Sequence, residues 1–219
     1  TADGLVRSLL AGLNGRLRPA FLDGRTMLKG KRRCLRLDNG KALPVTESQR
    51  ERVSALIAGF ATQHADPDFF EVLDVARRIA GNGSLGVDRY VILVRGKGSP
   101  EGNELLDLKE ALPSSVLPRV ATAQPVWRAE AERVVAIQRR MQAVPMAFLE
   151  PLRFRKRSYM LRGLQPSEDR VNLEVARSGE GAVAGVLASM GSVVASAQLR
   201  SSGRDGSAIA DTLIGYAGE

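Results

Sequence analysis

The stretch Gly81-Asn82-Gly83-Ser84-Leu85-Gly86 spells G-x-G-x-x-G, and what flanks it limits the folds open to the chain. Three glycines at that spacing let backbone curl close to a partner, often phosphate. In a dinucleotide-binding βαβ unit such a loop opens a helix. Here it is followed by Val87, Tyr90, Val91, Ile92, Leu93 and Val94, which is strand chemistry. In a Walker A loop the last glycine precedes Lys and then Ser or Thr; Gly86 precedes Val87 and Asp88. Both familiar phosphate loops are therefore excluded. What remains is a glycine loop between two antiparallel strands, or an ordinary hairpin loop with no ligand.

The protein-kinase arrangement uses a loop of the first kind over the triphosphate of ATP. It requires a lysine on the next strand and a helix whose glutamate holds that lysine. Lys109, in the strand-like run "LLDLKEA", meets the first requirement. A lysine among apolar neighbours is expensive to bury without an anionic partner. The amphipathic segment 126–144, expected to start at Pro125 and stop at Pro145, offers Glu130 and Glu132, of which Glu132 is preferred. Arg89 lies just past the loop and can face the same anion or a surface carboxylate. The expected phosphate contacts are Gly81, Asn82, Gly83, Ser84 and Gly86. Lys109 would take the α/β-phosphates, with Arg89 nearby and Glu130 or Glu132 orienting the lysine. "SYMLRGLQP" would form the last strand and the hinge for an adenine.

The rest of the chain sets the frame. Apolar spacing predicts a helix over 3–18. Asp38-Asn39-Gly40 predicts a hairpin in "CLRLDNGKALPV". Thr46 is the expected N-cap of a helix reaching about His64. Strands are expected near 74–80, 87–95, 104–111, 147–153 and 158–164, the last two meeting at a tip of Arg155-Lys156-Arg157, read as a solvated turn. The fold class is thus α+β: a kinase-N-lobe-like antiparallel sheet with one helix packed in the αC manner and flanking helical segments. Three regions are expected: 1–68, basic and helical; 69–166, nucleotide-cradling; and 167–219, helical. The weakly apolar run "GAVAGVLASMGSVVASAQL" (181–199), rich in Gly, Ala and Ser, is expected as a buried, closely packed helix and not a membrane span.

Composition narrows the chemistry further. One cysteine, Cys34, excludes an internal disulfide. One histidine, His64, leaves too few soft ligands for zinc and gives a Ser-His-Asp or Cys-His mechanism little support. Both suit a cytoplasmic protein. The net charge of +8 is concentrated in residues 1–59, which hold twelve Lys and Arg against five Asp and Glu. The densest run is "KGKRRCLR", where Lys29, Lys31, Arg32 and Arg33 would face an acidic partner or another segment of the same protein. With no aromatic residue interleaved, stacking on nucleic-acid bases is unsupported.

"RIAGNGSLGVDRYVILVRGKG", "LLDLKEALPSSV", "ERVVAIQRRMQ" and "AQLRSSGRDGSA" together resemble the bacterial family named domain of unknown function 2252. That resemblance implies an aminoglycoside-phosphotransferase-like, circularly permuted kinase fold and ATP with Mg2+ as ligands. It also implies a G-D-x-H-x-x-N motif, supplying the catalytic Asp and the metal ligands, upstream of the glycine loop. No such motif occurs in these 219 residues. The expectation is therefore a nucleotide-cradling part with no catalytic or metal-binding residue of its own. The alternative is a non-catalytic module that docks an acidic partner through the basic front segment.

Overall fold

The structure, a computed structural model, describes residues 4–81, 86–98, 101–166, 171 and 180–218. It is a mixed α+β chain built of antiparallel sheets and, among the described residues, six α-helices. It divides into two compact units.

The larger unit comprises 17–135 and 146–165. It opens with α2 (Arg18–Asp23), which follows α1 (Leu5–Leu13) in the chain. The helix expected over 3–18 is shorter than its apolar spacing predicts: α1 stops before Asn14-Gly15, and α2 starts separately at Arg18 with Pro19 in its first turn. Strands β1 (Thr26–Lys29) and β2 (Arg32–Leu35) pair as a two-stranded ribbon turning at Gly30, whose φ is 63°. This corrects the hairpin expected around Asp38-Asn39-Gly40. That turn exists, with Asn39 Oδ1 accepting the Lys41 N–H at 3.0 Å, but β3 (Ala42–Leu43) leaves β2 and joins the main sheet.

Helix α3 (Glu47–Ala61) starts at Thr46 as its sequence requires. The Thr46 Oγ1 accepts the Gln49 N–H while the Thr46 N–H donates to Gln49 Oε1, a reciprocal capping box. The six-stranded antiparallel sheet follows: β4 (Val72–Arg78), β5 (Arg89–Val94), β6 (Glu104–Glu110), β7 (Glu150–Phe154) and β8 (Arg157–Gly163), with β3 at one edge. The spatial order is β3-β4-β5-β6-β8-β7. These five longer strands lie within about two residues of their expected bounds at nearly every end. The tip between β7 and β8 turns at Arg155, with φ 54°. Arg155, Lys156 and Arg157 are exposed, as the expected solvated turn requires, and Arg157 also donates to Asp88 at 2.9 Å.

One face of the sheet packs on α3. Val75, Tyr90, Ile92, Val94, Leu106, Leu108, Tyr159 and Leu161 meet Val53, Ile57 and Phe60 in one continuous apolar core. The other face carries two smaller apolar groups. Leu22 and Leu35 cover Ala42, Ala76, Val91, Leu93 and Leu105. Val135 and Leu149 cover Met160. Helix α4 (Glu130–Met141) begins five residues after Pro125, not at it; the Ala131 N–H donates to Ser158 Oγ on β8, and Val135 is buried.

The smaller unit comprises 1–16, 136–145 and 166–219 and contains α1, the end of α4, α5 (Glu180–Ser201) and α6 (Ala210–Ala217). The expected three-part division maps unevenly onto these units, since residues 17–68 belong with the sheet. The burial expected for α5 is not found. Leu187, Met190, Val193 and Val194 are exposed, and Val186 is its one described buried side chain. Its apolar residues are spread around the helix, so one neighbour cannot cover them all.

Candidate functional site

Alternation along β5 and β6 decides what surrounds Lys109. Successive side chains point to opposite faces. Leu106 and Leu108 therefore enter the α3 core, while Asp107 and Lys109 share the other face. Lys109 pairs across strands with Arg89 on β5 and Met160 on β8; Asp107 pairs with Val91 and Arg162. Arg78, at the end of β4, lies on that face too, two residues after Ala76.

Asp107 is 0% exposed and is held by three guanidinium groups. Arg89 grips it bidentately, Nε to Oδ1 at 2.9 Å and a terminal nitrogen to Oδ2 at 2.7 Å. Arg78 reaches Oδ2 at 2.9 Å, and Arg162 approaches with two nitrogens at 3.3 Å. Fork-on-carboxylate geometry is the strong form of such a pair. Burial alone pushes the Asp107 carboxyl up, but the hydrogen bond from Arg89 and the charge of Arg78 outweigh it, and the net shift is downward. For Arg78 burial is the largest effect, lowering it below its ordinary value, with Asp107 pulling the other way.

Lys109 joins this cluster, with no ion-pair partner among the described residues. Burial lowers its pKa, the neighbouring Arg89 lowers it further, and Asp107 opposes them. The expected ion pair to helix α4 is not made: Glu130 is bonded to Arg133 at 2.7 Å, and Glu132 makes no ion pair. Among the described residues this face thus holds four cations, Arg78, Arg89, Arg162 and Lys109, against one carboxylate, a formal excess of three positive charges. The three arginine side chains are between 10% and 19% exposed, so this excess sits largely out of water.

The glycine loop springs from the same end of the sheet, between Arg78 and Arg89. Its ends, Gly81 at φ 57° and Gly86 at φ 76°, adopt the left-handed conformation that favours glycine. Asn82, Gly83 and Ser84 lie outside the described residues. Just past the loop, Asp88 accepts from Arg52 of α3 and Arg157 of β8, both at 2.9 Å, and its N–H donates to Glu110 at 3.1 Å. The loop's exit is therefore fastened to three elements.

The same four motifs that mark the strands and helices in the sequence run through this framework. A family described as uncharacterized proteins conserved in bacteria, DUF2252, matches residues 1–219. The chain belongs to the DUF2252 family. No curated protein and no solved structure matches it.

Within this DUF2252 chain, sequence reasoning found Lys109 and Arg89 but missed Asp107, Arg78 and Arg162. A signal was present. Asp107 and Arg162 each sit at an alternate position beside apolar neighbours of their strands, Leu106 and Leu108 for the one and Leu161 for the other, which places them on one face. Arg89 faces this buried carboxylate, not a surface one. The basic front run is split by the same alternation. Lys29, Lys31 and Arg32 are exposed on the β1–β2 ribbon. Arg33 turns inward to Asp23 and Thr26 Oγ1, both at 2.7 Å.

Proposed function

We propose that the Asp107-centred cluster is the phosphate site of a kinase-like nucleotide-binding lobe, and that the ligand is ATP with Mg2+. The observation that carries this reading is the excess of three positive charges that Lys109 makes with the three arginines and Asp107 among the described residues, on the sheet face at the root of the glycine loop. The order of elements supports it: glycine loop, strand, lysine-bearing strand, helix, then two strands, as in the N-lobe of a kinase. The fit for phosphate is good, since guanidinium and ammonium groups are the usual partners of phosphate oxygens. Among the described residues no group of three or more His, Cys, Asp or Glu could hold a metal. Mg2+ would therefore arrive bound to the phosphates.

In this reading Asp107 does the orienting work assigned above to Glu130 or Glu132. It spaces the three guanidiniums and leaves Lys109 free to meet the anion. A phosphotransferase of unknown acceptor, working in the cytoplasm, is the activity this lobe would serve, with the catalytic Asp and Asn supplied from outside these 219 residues.

A second reading rests on the exposed Lys29, Lys31 and Arg32 of the β1–β2 ribbon, which would dock an acidic partner or another segment of the same protein. Calorimetric titration of Mg-ATP separates the two. Under the nucleotide reading Lys109→Ala loses affinity by about tenfold or more, the scale of one charge-assisted contact, while Lys29→Glu/Arg32→Glu binds normally. Absence of any Mg-ATP binding overturns the nucleotide reading.

A further inference from the structure

The surroundings of Lys109 bear on which part of a nucleotide the face can hold. A base needs an open apolar slot beside the phosphates, usually with a backbone donor at its edge. Along β6 the residue on the same face before Lys109 is Asp107, buried under three guanidiniums. The next is Leu105, sealed with Val91 and Leu93 beneath Leu22 and Leu35. On the β8 side Met160 is covered by Val135 and Leu149. The backbone expected to act as hinge is also engaged: the Gly163 N–H donates to Ala147 at 2.7 Å, and the Leu164 N–H to Leu105 at 2.8 Å. The sheet's two tyrosines, Tyr90 and Tyr159, lie in the opposite core. Leu105 and Met160, the apolar residues that flank Asp107 and Lys109 on this face, are thus already used by the fold, whereas the charge of the cluster is not.

We infer that this face recognises a polyphosphate chain as such, with no pocket for the base, so that inorganic tripolyphosphate and any nucleoside triphosphate are equivalent ligands. The inference rests on the anion-site reading above and specifies its ligand class. The positive excess of the described residues draws an anionic polyphosphate, and guanidinium and ammonium groups suit its oxygens. Nothing in this constellation distinguishes adenine from guanine.

The experiment is a calorimetric comparison of Mg-ATP, Mg-GTP, Mg-tripolyphosphate and adenosine, on the wild-type chain and Lys109→Met. The expected result is affinities for the three polyphosphates within about threefold of one another, under 1 kcal/mol at 298 K. Adenosine should neither bind nor compete, and Lys109→Met should weaken all three polyphosphates alike. Mg-ATP binding more than about tenfold tighter than both Mg-GTP and tripolyphosphate, or displacement by adenosine, overturns this inference and leaves the phosphate site standing. Failure of all four to bind overturns both. A parallel Arg162→Gln chain guards against a lysine-specific artefact, because it should weaken the same three ligands together.

Discussion

The two faces of the six-stranded sheet use the same strands for different ends. On the α3 face Tyr90, Ile92 and Val94 of β5, Leu106 and Leu108 of β6, and Tyr159 and Leu161 of β8 are apolar and join one core with Val53. On the opposite face the apolar groups are two islands, and between them sits a carboxylate with four cations. The first face satisfies itself. The second retains an excess of one sign of charge in a half-dry site, an arrangement with no evident benefit to folding. A sheet that folds from one side is at liberty to keep the other for a ligand.

Neighbouring residues of β6 give the sharpest way to break this comparison. Asp107→Ala strands three guanidiniums and should cost about 3–5 kcal/mol. Leu108→Ala, one residue on but in the α3 core, should cost about 2–5 kcal/mol through a cavity. Chemical denaturation of both variants measures this. The distinguishing arm is Asp107→Leu: if it proves as stable as wild type, the cluster does not need its carboxylate. Asp107 also fixes a sign. Its folded pKa lies below its ordinary value of 3.8. Its stabilising contribution is therefore complete above that pH and is lost as pH falls through the folded value. Acid unfolding of Asp107→Asn should lack this component.

A smaller effect on stability is expected at Lys109, where Lys109→Ala should cost less than about 0.5 kcal/mol while weakening anion affinity about tenfold or more. Its pKa lies below the ordinary 10.5. The ammonium thus loses its proton at a lower pH than a free lysine. Affinity for Mg-ATP should fall as pH rises through that lowered value, before 10.5 is reached. In Lys109→Met the same window should be flat, because the arginines stay charged. Smallest of the folding effects is Thr46→Ala, which removes one half of the capping box and should cost about 1 kcal/mol in thermal unfolding.

Much of the α3 face was legible in the sequence. Alternation located the five longer strands, and Thr46 with Gln49 located the helix that covers them. The charged face was legible only in pieces. Lys109 and Arg89 stand out by themselves, but Arg78 and Arg162 join them through pairing between β4, β5, β6 and β8, and register is a non-local property. The missed hairpin has the same origin: Asp38-Asn39-Gly40 does turn the chain, yet β3 finds its partner in β4, some 35 residues onward. Helix α4 was placed too early because Pro125 permits a helix start without compelling one. The ion pair to Glu130 or Glu132 was expected by analogy, and the carboxylate that Lys109's neighbours use lies two residues away on its own strand.

Strand β6 also constrains how the gene can vary. Its residues alternate between core and cluster, Leu106 and Leu108 one way, Asp107 and Lys109 the other. Deleting or inserting a single codon within Glu104–Glu110 would swap the two sets, presenting Asp107 to the core and Leu108 to the arginines. Such a frame-preserving change should be lethal to the fold, although a conservative replacement at any one of these positions is not. Across homologues, gaps should therefore collect in the connections on either side of β6 and be absent from it.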